Sequence, residues 1–347
     1  MNADPQPRSG AASEGAARRP LESARDLPVG GQAVLEGVMM RGATTWAVAV
    51  RKPTAADLAG GAVDPLTGAH GEIEVVSEPL VSYVRGHRWA RLPVLRGMVA
   101  LLESLRLGLR ALGISANAQE PPGEDGARRE IGRATWAGTV AFALAFAVCL
   151  FFLLPAAATN LFKDQIPNSV AFVVIEKLVR IGVFLAYLWL VSRLSHLQRV
   201  FQYHGAEHKT ISCYEAGAAL TPENAQRFSR LHPRCGTSFL LIVMVVAIFV
   251  FAPLGKLDWH WLLISRVVGI PLVAGVAFEI IKWLGRNRAK DWARALIWPG
   301  LQLQRLTTRE PDLAQLAVAI AALGAVLDVD DPAEATAAER AALEVGA

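Results

Sequence analysis

Residues 136–158, WAGTVAFALAFAVCLFFLLPAAA, contain no charged side chain and decide the fold class. A helix rises about 1.5 Å per residue, so this stretch is long enough to cross a hydrocarbon core about 30 Å thick. The whole chain has 347 residues and is 53% hydrophobic, more than is usual for a soluble protein. Both observations predict a membrane protein.

Three further apolar stretches follow this one, at residues 171–192, 237–254 and 262–284. The first of the three carries Glu176, Lys177 and Arg180 in its opening turns, which is tolerable if that end lies near the membrane interface or faces protein. The sequence therefore predicts a mainly α membrane protein with four transmembrane helices in a membrane region at residues 135–285.

The positions of the basic residues predict how the chain is oriented. Arginines and lysines lie before the first span, in the connection 193–235 and after the fourth span, whereas the loops 159–170 and 255–261 hold one lysine each. Because basic loops stay on the cytoplasmic side, we expect both termini and the connection 193–235 to be cytoplasmic. The predicted location is the inner (plasma) membrane, which the chain crosses several times.

Charge and cysteine content limit the partners. The net charge of +4 comes from basic residues beside the spans, so anionic lipid explains it and no nucleic acid is needed. The expected partner is the lipid bilayer, with a second copy of the chain or another membrane protein as further candidates. Cys149 lies in a predicted span, and Cys213 and Cys235 are predicted to be cytoplasmic, which favours free thiols or metal ligands over a disulfide framework.

The region before the first span alternates like a sheet. Residues 1–27 are polar and predict a disordered tail, and residues 28–91 predict a cytoplasmic β-rich region. Within it, 45–52 and 72–78 are β-rich, and 53–71 reads as a long hairpin loop. The preceding stretch GGQAVLEGVMMRG frames Glu36 with glycines, and this glutamate is either a surface residue of a turn-rich strand or a carboxylate with a buried partner.

Two amphipathic helices are predicted outside the spans. Apolar residues recur by threes and fours in residues 92–116, and the same spacing recurs in 312–327. The first helix is too charged to span, so it should lie on the cytoplasmic leaflet or pack against the cytoplasmic connection 193–235. The second belongs to a cytoplasmic C-terminal segment, 286–327, and residues 328–347 predict a disordered tail.

The stretch YHGAEHK, residues 203–209, contains the first candidate metal ligands. His204 and His208 are four apart, so on a helix both imidazoles point the same way and can share one ion. With Glu207 they form the order H-x-x-E-H, in which the glutamate is the general base for the water that the metal activates. If the helix continues, Glu215 falls on the face of His208 and Cys213 points nearly the opposite way.

A second His/Cys pair follows in LHPRCGT, residues 231–237. Thr221, Pro222 and Glu223 predict a helix start, and Pro233 should end that helix just after His232. The turn would bring His232 and Cys235 to the membrane surface with the spacing of a zinc half-site. The predicted ligand set of a divalent ion, most simply zinc, is thus His204, His208, His232 and Cys235.

Two further features have alternative interpretations. Glu279 lies in the cytoplasmic half of the fourth span, where it either pairs with Lys282, Lys290 or a nearby arginine, or faces the His pair as a third ligand or a supporting carboxylate. Residues 299–311, PGLQLQRLTTREP, either bind an acidic group through their arginines or dock the last helix.

Five blocks of the sequence, in order across residues 28–327, resemble the YqhQ-like family of uncharacterised bacterial membrane proteins. The blocks are GGQAVLEGVMMRG (30–42), RGMVALLESLRLGLRALGISA (96–116), FQYHGAEHKTISCYEAG (201–217), RLHPRCGTSFLL (230–241) and PGLQLQRLTTREP (299–311). Proteins of this family carry the label of metal-dependent enzymes, so the resemblance implies a metal-dependent membrane enzyme, with no substrate.

Three functions are compatible with these patterns. In the first, the metal site has an open position and Glu207 acts as general base in the hydrolysis of a peptide, ester or phosphoester at the cytoplasmic membrane surface. In the second, four protein ligands form a closed, structural zinc site in a scaffold or assembly factor. Gly205 favours this alternative, because it weakens the helix that a hydrolase would need. In the third, charges such as Glu176 and Arg266 mark a transport path.

Overall fold

The computed structural model describes residues 29–58, 68–121, 131–254, 259–287 and 290–330. The tail expected at 1–27, and that at 328–347 from residue 331 onward, lie outside these ranges. The strands are β1 (Gly30–Val34), β2 (Gly37–Arg41), β3 (Thr45–Arg51) and β4 (Ile73–Pro79). The helices are α1 (Tyr83–Gly86), α2 (Leu95–Gln119), α3 (Arg133–Val148), α4 (Leu154–Asn160), α5 (Ser169–Val191), α6 (Ser195–Glu215), α7 (Pro222–Gln226), α8 (Gly236–Phe251), α9 (Trp259–Arg286), α10 (Asp291–Thr307) and α11 (Leu313–Leu327). The described chain is therefore mainly helical, with one small sheet near its N-terminus.

The four strands form an antiparallel sheet in the order β1-β2-β3-β4. β3 and β4 pair along their whole length, as the alternation of their sequences predicts. β1 and β2 form a tight hairpin in which Glu36 takes a left-handed backbone conformation, φ 48°, which a side chain adopts at a cost unless its surroundings hold it. Glu36 is thus fixed at the tip of this hairpin.

Both faces of the sheet are covered, so its central strands are buried on either side. Val38 and Met40 of β2 pack with α6 and α11, whereas Met39 and the β3 residue Trp46 pack with α2. α11 begins with a capping box on Asp312, the N-cap signature that its sequence carries. The two amphipathic helices therefore pack against the sheet, one on each face.

Within the described ranges, three helices are long and apolar enough to cross a membrane. They cover Arg133–Asn160, Gly236–Leu254 and Ile264–Arg286, and the first is continuous because a π-helical turn, Cys149–Leu153, joins α3 to α4. α5 forms at the place of the second predicted span, but its three charged residues keep it outside this group. The predicted helix therefore exists, and its three charged residues distinguish it from the other three.

The prediction that the helix starting at Thr221 continues to His232 is wrong. Thr221 caps α7 as predicted, by accepting a hydrogen bond from the backbone of Asn224, but α7 ends at Gln226. The buried ammonium of Lys209 donates to the carbonyls of Gln226 and Phe228, each at 2.8 Å. In a longer helix these carbonyls would accept hydrogen bonds from the next turn. Here they accept from Lys209, so the chain does not continue as a helix after α7.

Candidate metal centre

α6 runs unbroken from Ser195 to Glu215 and holds both histidines of the HGAEH motif. The ring centroids of His204 and His208 are 4.4 Å apart, as expected for residues four apart on a helix. Gly205 lies between them, and the backbone carbonyl of Arg309 occupies the space that a side chain at position 205 would need. The glycine therefore permits a close backbone approach without interrupting the helix.

Backbone carbonyls fix the orientation of both imidazoles. The Nδ1 of His204 lies 2.8 Å from the carbonyl oxygen of Thr307, and the Nδ1 of His208 lies 2.6 Å from that of Arg230. A carbonyl only accepts hydrogen bonds, so each Nδ1 carries the proton and each Nε2 keeps a free lone pair. This is the arrangement in which outer groups commonly hold metal-binding histidines.

Cys235 completes a cluster of three possible ligands. Its Sγ lies 3.2 Å from the Nε2 of His204, and one ligand atom each from His204, His208 and Cys235 lie within 4.8 Å of one another. The residue is placed by α8, for which it is the N-cap, with its sulfur accepting from the backbone of Thr237. The residue at the start of α8 therefore supplies a possible sulfur ligand.

The electrostatics of the cluster suit a soft cation. Burial lowers the pKa of His208, which keeps its ring neutral. Burial raises the pKa of Cys235, but the His208 imidazole and Thr237 together outweigh this, so the net pKa of the thiol lies below its ordinary value. Neutral imidazoles and a sulfur that is easily ionised are the ligands that zinc prefers.

A metal ion would bind a buried polar atom that otherwise has no hydrogen-bond partner among the described residues. The Nε2 of His208 is buried and has no hydrogen-bond partner among the residues that the structure describes. A single thiol proton can serve only one of the two lone pairs that face it, and an unpaired buried nitrogen is costly. The three side chains therefore fit a divalent ion such as zinc.

Glu207 lies next to the cluster, in the interior. Only 6% of its surface is exposed, and a Cβ on Gly31 of β1 would lie 2.9 Å from its carboxyl carbon, so the absent side chain of Gly31 makes room for it. Burial raises the pKa of Glu207 to about 8, partly opposed by His204 and reinforced by Cys235. Within the described ranges no residue makes a hydrogen bond to its carboxyl group.

A cavity of about 220 Å³ opens beside these groups, and Glu207, His208 and Cys235 line it. Its apolar walls include Phe239 of α8 and Phe278 of α9, and its polar walls include Arg41 and Arg234. Each arginine has a carboxylate partner, Glu103 for Arg41 and Glu215 for Arg234. The site is therefore a mostly apolar pocket with a few convergent polar groups, as in small-molecule sites.

His232 is close to the cluster but is held by other partners. The ring centroids of His208 and His232 are 5.8 Å apart, and the His232 Nε2 lies 3.4 Å from an oxygen of Glu215. The buried side chain of Gln304 accepts from the backbone amide of His232 and donates to its carbonyl. Of the four predicted ligands, His204, His208 and Cys235 therefore meet, and His232 lies to one side with Glu215.

The other candidate residues lie away from the cluster. Glu279 forms an ion pair with Arg96 of α2, and Glu36 forms one with Arg199 of α6 at 2.6 Å. Cys213 is buried and donates to the carbonyl of Ala219. Each therefore joins two parts of the fold, and neither carboxylate adds a ligand.

Sequence reasoning missed the outer groups of the site. Gln304 and Thr307 lie on α10, a helix that was not predicted, and Arg309 follows it. Gln304 holds His232, Thr307 orients His204, and Arg309 donates to the carbonyl of Ser192. The signal was present in the block PGLQLQRLTTREP, whose polar residues dock and orient the site.

Comparison with known proteins identifies a family without assigning an activity. The family DUF1385, described as "Protein of unknown function", matches residues 92–329. "Uncharacterized protein YqhQ" of Bacillus subtilis (strain 168) is 34% identical over 311 residues, which cover 87% of this chain and 92% of the relative. No solved structure matches. Neither match records a metal or a reaction.

Proposed function

The chain belongs to the DUF1385 family of proteins of unknown function, and on that premise we propose that it is a metal-dependent hydrolase of the membrane surface. Its metal would be a divalent ion, most simply zinc, held by His204, His208 and Cys235. Glu207 would be the general base.

One observation carries the proposal: the ligand cluster has three members and adjoins a cavity. Catalytic zinc sites typically use three protein ligands and keep one position for water or substrate, whereas structural sites use four. Here the same cavity is lined by His208, Cys235 and Glu207. A substrate in the cavity would thus meet the ligands and a carboxyl group at once.

The residues around the cavity have distinct tasks in such a reaction. A bound divalent ion would supply a Lewis acid and make water more acidic. Glu207 would take the proton from the attacking water and deliver it to the leaving group, since a carboxyl group with a pKa near neutrality serves in both directions. The carbonyls of Thr307 and Arg230 would hold both imidazoles in place.

The walls of the cavity favour a substrate with an acidic group and an apolar part. Arg41 and Arg234 place positive charge on the wall, and guanidinium groups are well suited to bind a carboxylate or a phosphate. Phe239 and Phe278 give an apolar surface. Because α8 and α9 are also candidate spans, such a substrate would reach the site at the membrane surface. An ester or phosphoester fits these walls better than an uncharged polar substrate.

We propose the full membrane topology on the same basis. α5 would be the second of four spans, its charges facing the other helices, and both termini would be cytoplasmic because the basic residues cluster there. Reporter fusions after residues 165 and 287 would test this. Fusion to alkaline phosphatase should be active only at 165, and activity at 287 would contradict the proposed orientation.

A structural zinc site is the second candidate, and the position of His232 favours it. This side chain is 5% exposed and lies beside the ring of His208. If His232 left Glu215 and turned to the metal, the site would have four protein ligands and would be closed. The protein would then be a scaffold whose metal joins α6 to α8.

X-ray absorption at the zinc edge of the purified full-length protein separates the two candidates. The hydrolase proposal expects two nitrogen ligands, one sulfur ligand and at least one light ligand that exchanges with solvent. Four protein ligands with no exchangeable one would overturn it. Replacing Glu207 by Gln should leave the zinc content unchanged and abolish hydrolysis of an ester or phosphoester substrate found by screening the wild type.

A further inference from the structure

A second cavity, about 350 Å³ in volume, lies among the candidate membrane helices. It is bounded by α5, α8, α9 and the π-helical turn after α3. On α8 it extends from Leu240 to Phe251, a distance of about 16 Å at 1.5 Å per residue. The cavity is therefore elongated along the helices, and it shares no lining residue with the candidate metal centre.

One end of this cavity is strongly cationic. Lys177, Arg180 and Arg266 line it, and among the described residues only Glu176 forms ion pairs with any of them, namely Lys177 and Arg180. The guanidinium of Arg266 instead lies 4.2 Å from the ring centroid of Phe251. Among the described residues, three cations thus line this end and one carboxylate pairs with two of them.

This excess of positive charge calls for a partner. Lys177 is 2% exposed, and the Nε of Arg180 is buried without a hydrogen-bond partner in the part of the chain that the structure describes. Cations in apolar surroundings are costly unless they are paired, and contact with an aromatic ring offsets only part of that cost. An anion at this end would satisfy the remaining donors.

The other end of the cavity suits a hydrocarbon chain. Val243, Met244 and Ala247 line it along one face of α8, and Ala274 lies opposite on α9. Its rim includes Leu240 and Ile270, which are 45% and 47% exposed on helices apolar enough to be surrounded by lipid. A molecule could therefore enter sideways from the bilayer.

We propose that this cavity binds an anionic amphiphile. Its carboxylate or phosphate group lies between Lys177, Arg180 and Arg266, where the arginines offer paired donors to the oxygens. Its hydrocarbon chain follows α8 and α9 toward Leu240. The proposal does not depend on the metal centre, because the two cavities use different side chains.

Native mass spectrometry of the full-length protein in neutral detergent tests the site. The probes are dimyristoylphosphatidylglycerol, dimyristoylphosphatidylcholine and palmitate. The anionic phospholipid should bind at least about tenfold more tightly than the zwitterionic one, which has the same chains. If palmitate displaces the anionic phospholipid, a carboxylate is sufficient for binding. If palmitate does not displace it, the phosphate group is the determinant. Equal binding of the two phospholipids would overturn the proposal.

Three variants distinguish the cavity from general attraction to anionic lipid. Arg266→Gln should weaken binding of the anionic phospholipid at least about tenfold. Arg193→Gln is the matched control, because Arg193 also stacks on an aromatic ring, Trp189 at 4.3 Å, outside the cavity. Ala247→Trp keeps every charge but fills the apolar part, and it should also lose binding.

Thermal melting checks that each variant is folded. If Arg266→Gln does not fold, Ala247→Trp alone still tests the cavity. Wild-type binding by a folded Arg266→Gln or a folded Ala247→Trp would overturn the assignment. An equal loss in Arg193→Gln would do the same, because it would show that any basic residue near the membrane suffices.

Discussion

Two largely buried glutamates, one packed against helix α6 and one within it, have opposite surroundings. Glu36, at the tip of the β1-β2 hairpin, receives two bonds from Arg199, at 2.6 and 2.7 Å, one from the amide of Ala69 and one from the hydroxyl of Tyr203. Glu207 belongs to α6 itself, two helical turns after Arg199, and its carboxyl group makes no hydrogen bond to any described residue. Both are largely buried, so burial alone does not distinguish their roles.

The difference separates a structural carboxylate from one available for chemistry. A carboxylate whose acceptor sites are occupied holds elements together, and here Glu36 joins the hairpin to α6. A buried carboxyl group that faces a cavity and has a shifted pKa is the usual form of an acid or base in an active site. Substitutions at each glutamate and at its neighbours can test this difference.

The largest effect on stability is expected from Arg199→Met, which removes the partner of the structural carboxylate Glu36. The change leaves the charge of Glu36 buried without its main partner, and such unpaired charges cost about 3 to 5 kcal/mol. Chemical denaturation should show this loss in the free energy of unfolding, with zinc binding retained by the folded fraction. Arg110→Met is the control: its pair with Glu78 is exposed, so it should cost less than about 1 kcal/mol.

On the other side of the comparison, Cys235→Ser should weaken zinc binding at least about 100-fold, equal to about 2.7 kcal/mol. A hydroxyl is a much poorer ligand than a thiolate, although it is similar in size. Competition with a chromogenic chelator measures the affinity. Cys213→Ser is the matched control, because Cys213 is also a buried residue of α6 but its thiol donates to the carbonyl of Ala219. Loss of zinc in the control, with Cys235→Ser intact, would reverse the ligand assignment.

Much of this fold follows from local patterns in the sequence. The i, i+4 spacing of His204 and His208 placed both on one helix face, and α6 confirms the helix. Alternation identified β3 and β4, and an apolar run without charge identified the helix at Arg133–Asn160. These features depend on neighbours close in the chain, which is why composition and period reveal them.

The partners of the charged residues could not be predicted in this way. Arg96 pairs with Glu279 across 183 positions, and Thr307 orients His204 across 103. A single sequence shows that a buried carboxylate needs a partner but not which one tertiary packing brings to it. For the same reason, Gly205 looked like a weakness of α6, whereas the crossing of Arg309 is what requires it.

The pH dependence of stability should separate the two glutamates. In metal-free protein the pKa of Glu207 is raised from 4.5 to about 8. The folded state therefore holds a proton that the unfolded state releases, and stability falls as the pH rises from 4.5 to 8. We expect a loss of about 2 kcal/mol, less than the full shift implies because the carboxyl group faces a cavity that water can enter.

Glu207→Gln should remove this slope and leave the chelator-treated protein more stable than wild type at pH 8. Denaturation curves from pH 5 to 8 measure the difference. Glu36→Gln should instead lower stability, because Arg199 loses its charged partner. A wild-type slope that persists in Glu207→Gln would show that another group titrates, and the contrast between the two glutamates would then fail.

The smallest effect concerns the glycine between the two histidines. Gly205→Ala should lower the free energy of unfolding by about 1 to 2 kcal/mol, because overpacking by the new methyl group exceeds the helix propensity that alanine adds. The methyl group would push the carbonyl of Arg309 away from α6, and with it Thr307, so zinc affinity should fall as well. Gly324→Ala in α11 is the control: nothing lies within 4 Å of a Cβ there, so alanine should stabilise by up to about 1 kcal/mol. If Gly205→Ala stabilised the protein equally and kept its zinc affinity, the segment after α10 would have no part in holding His204.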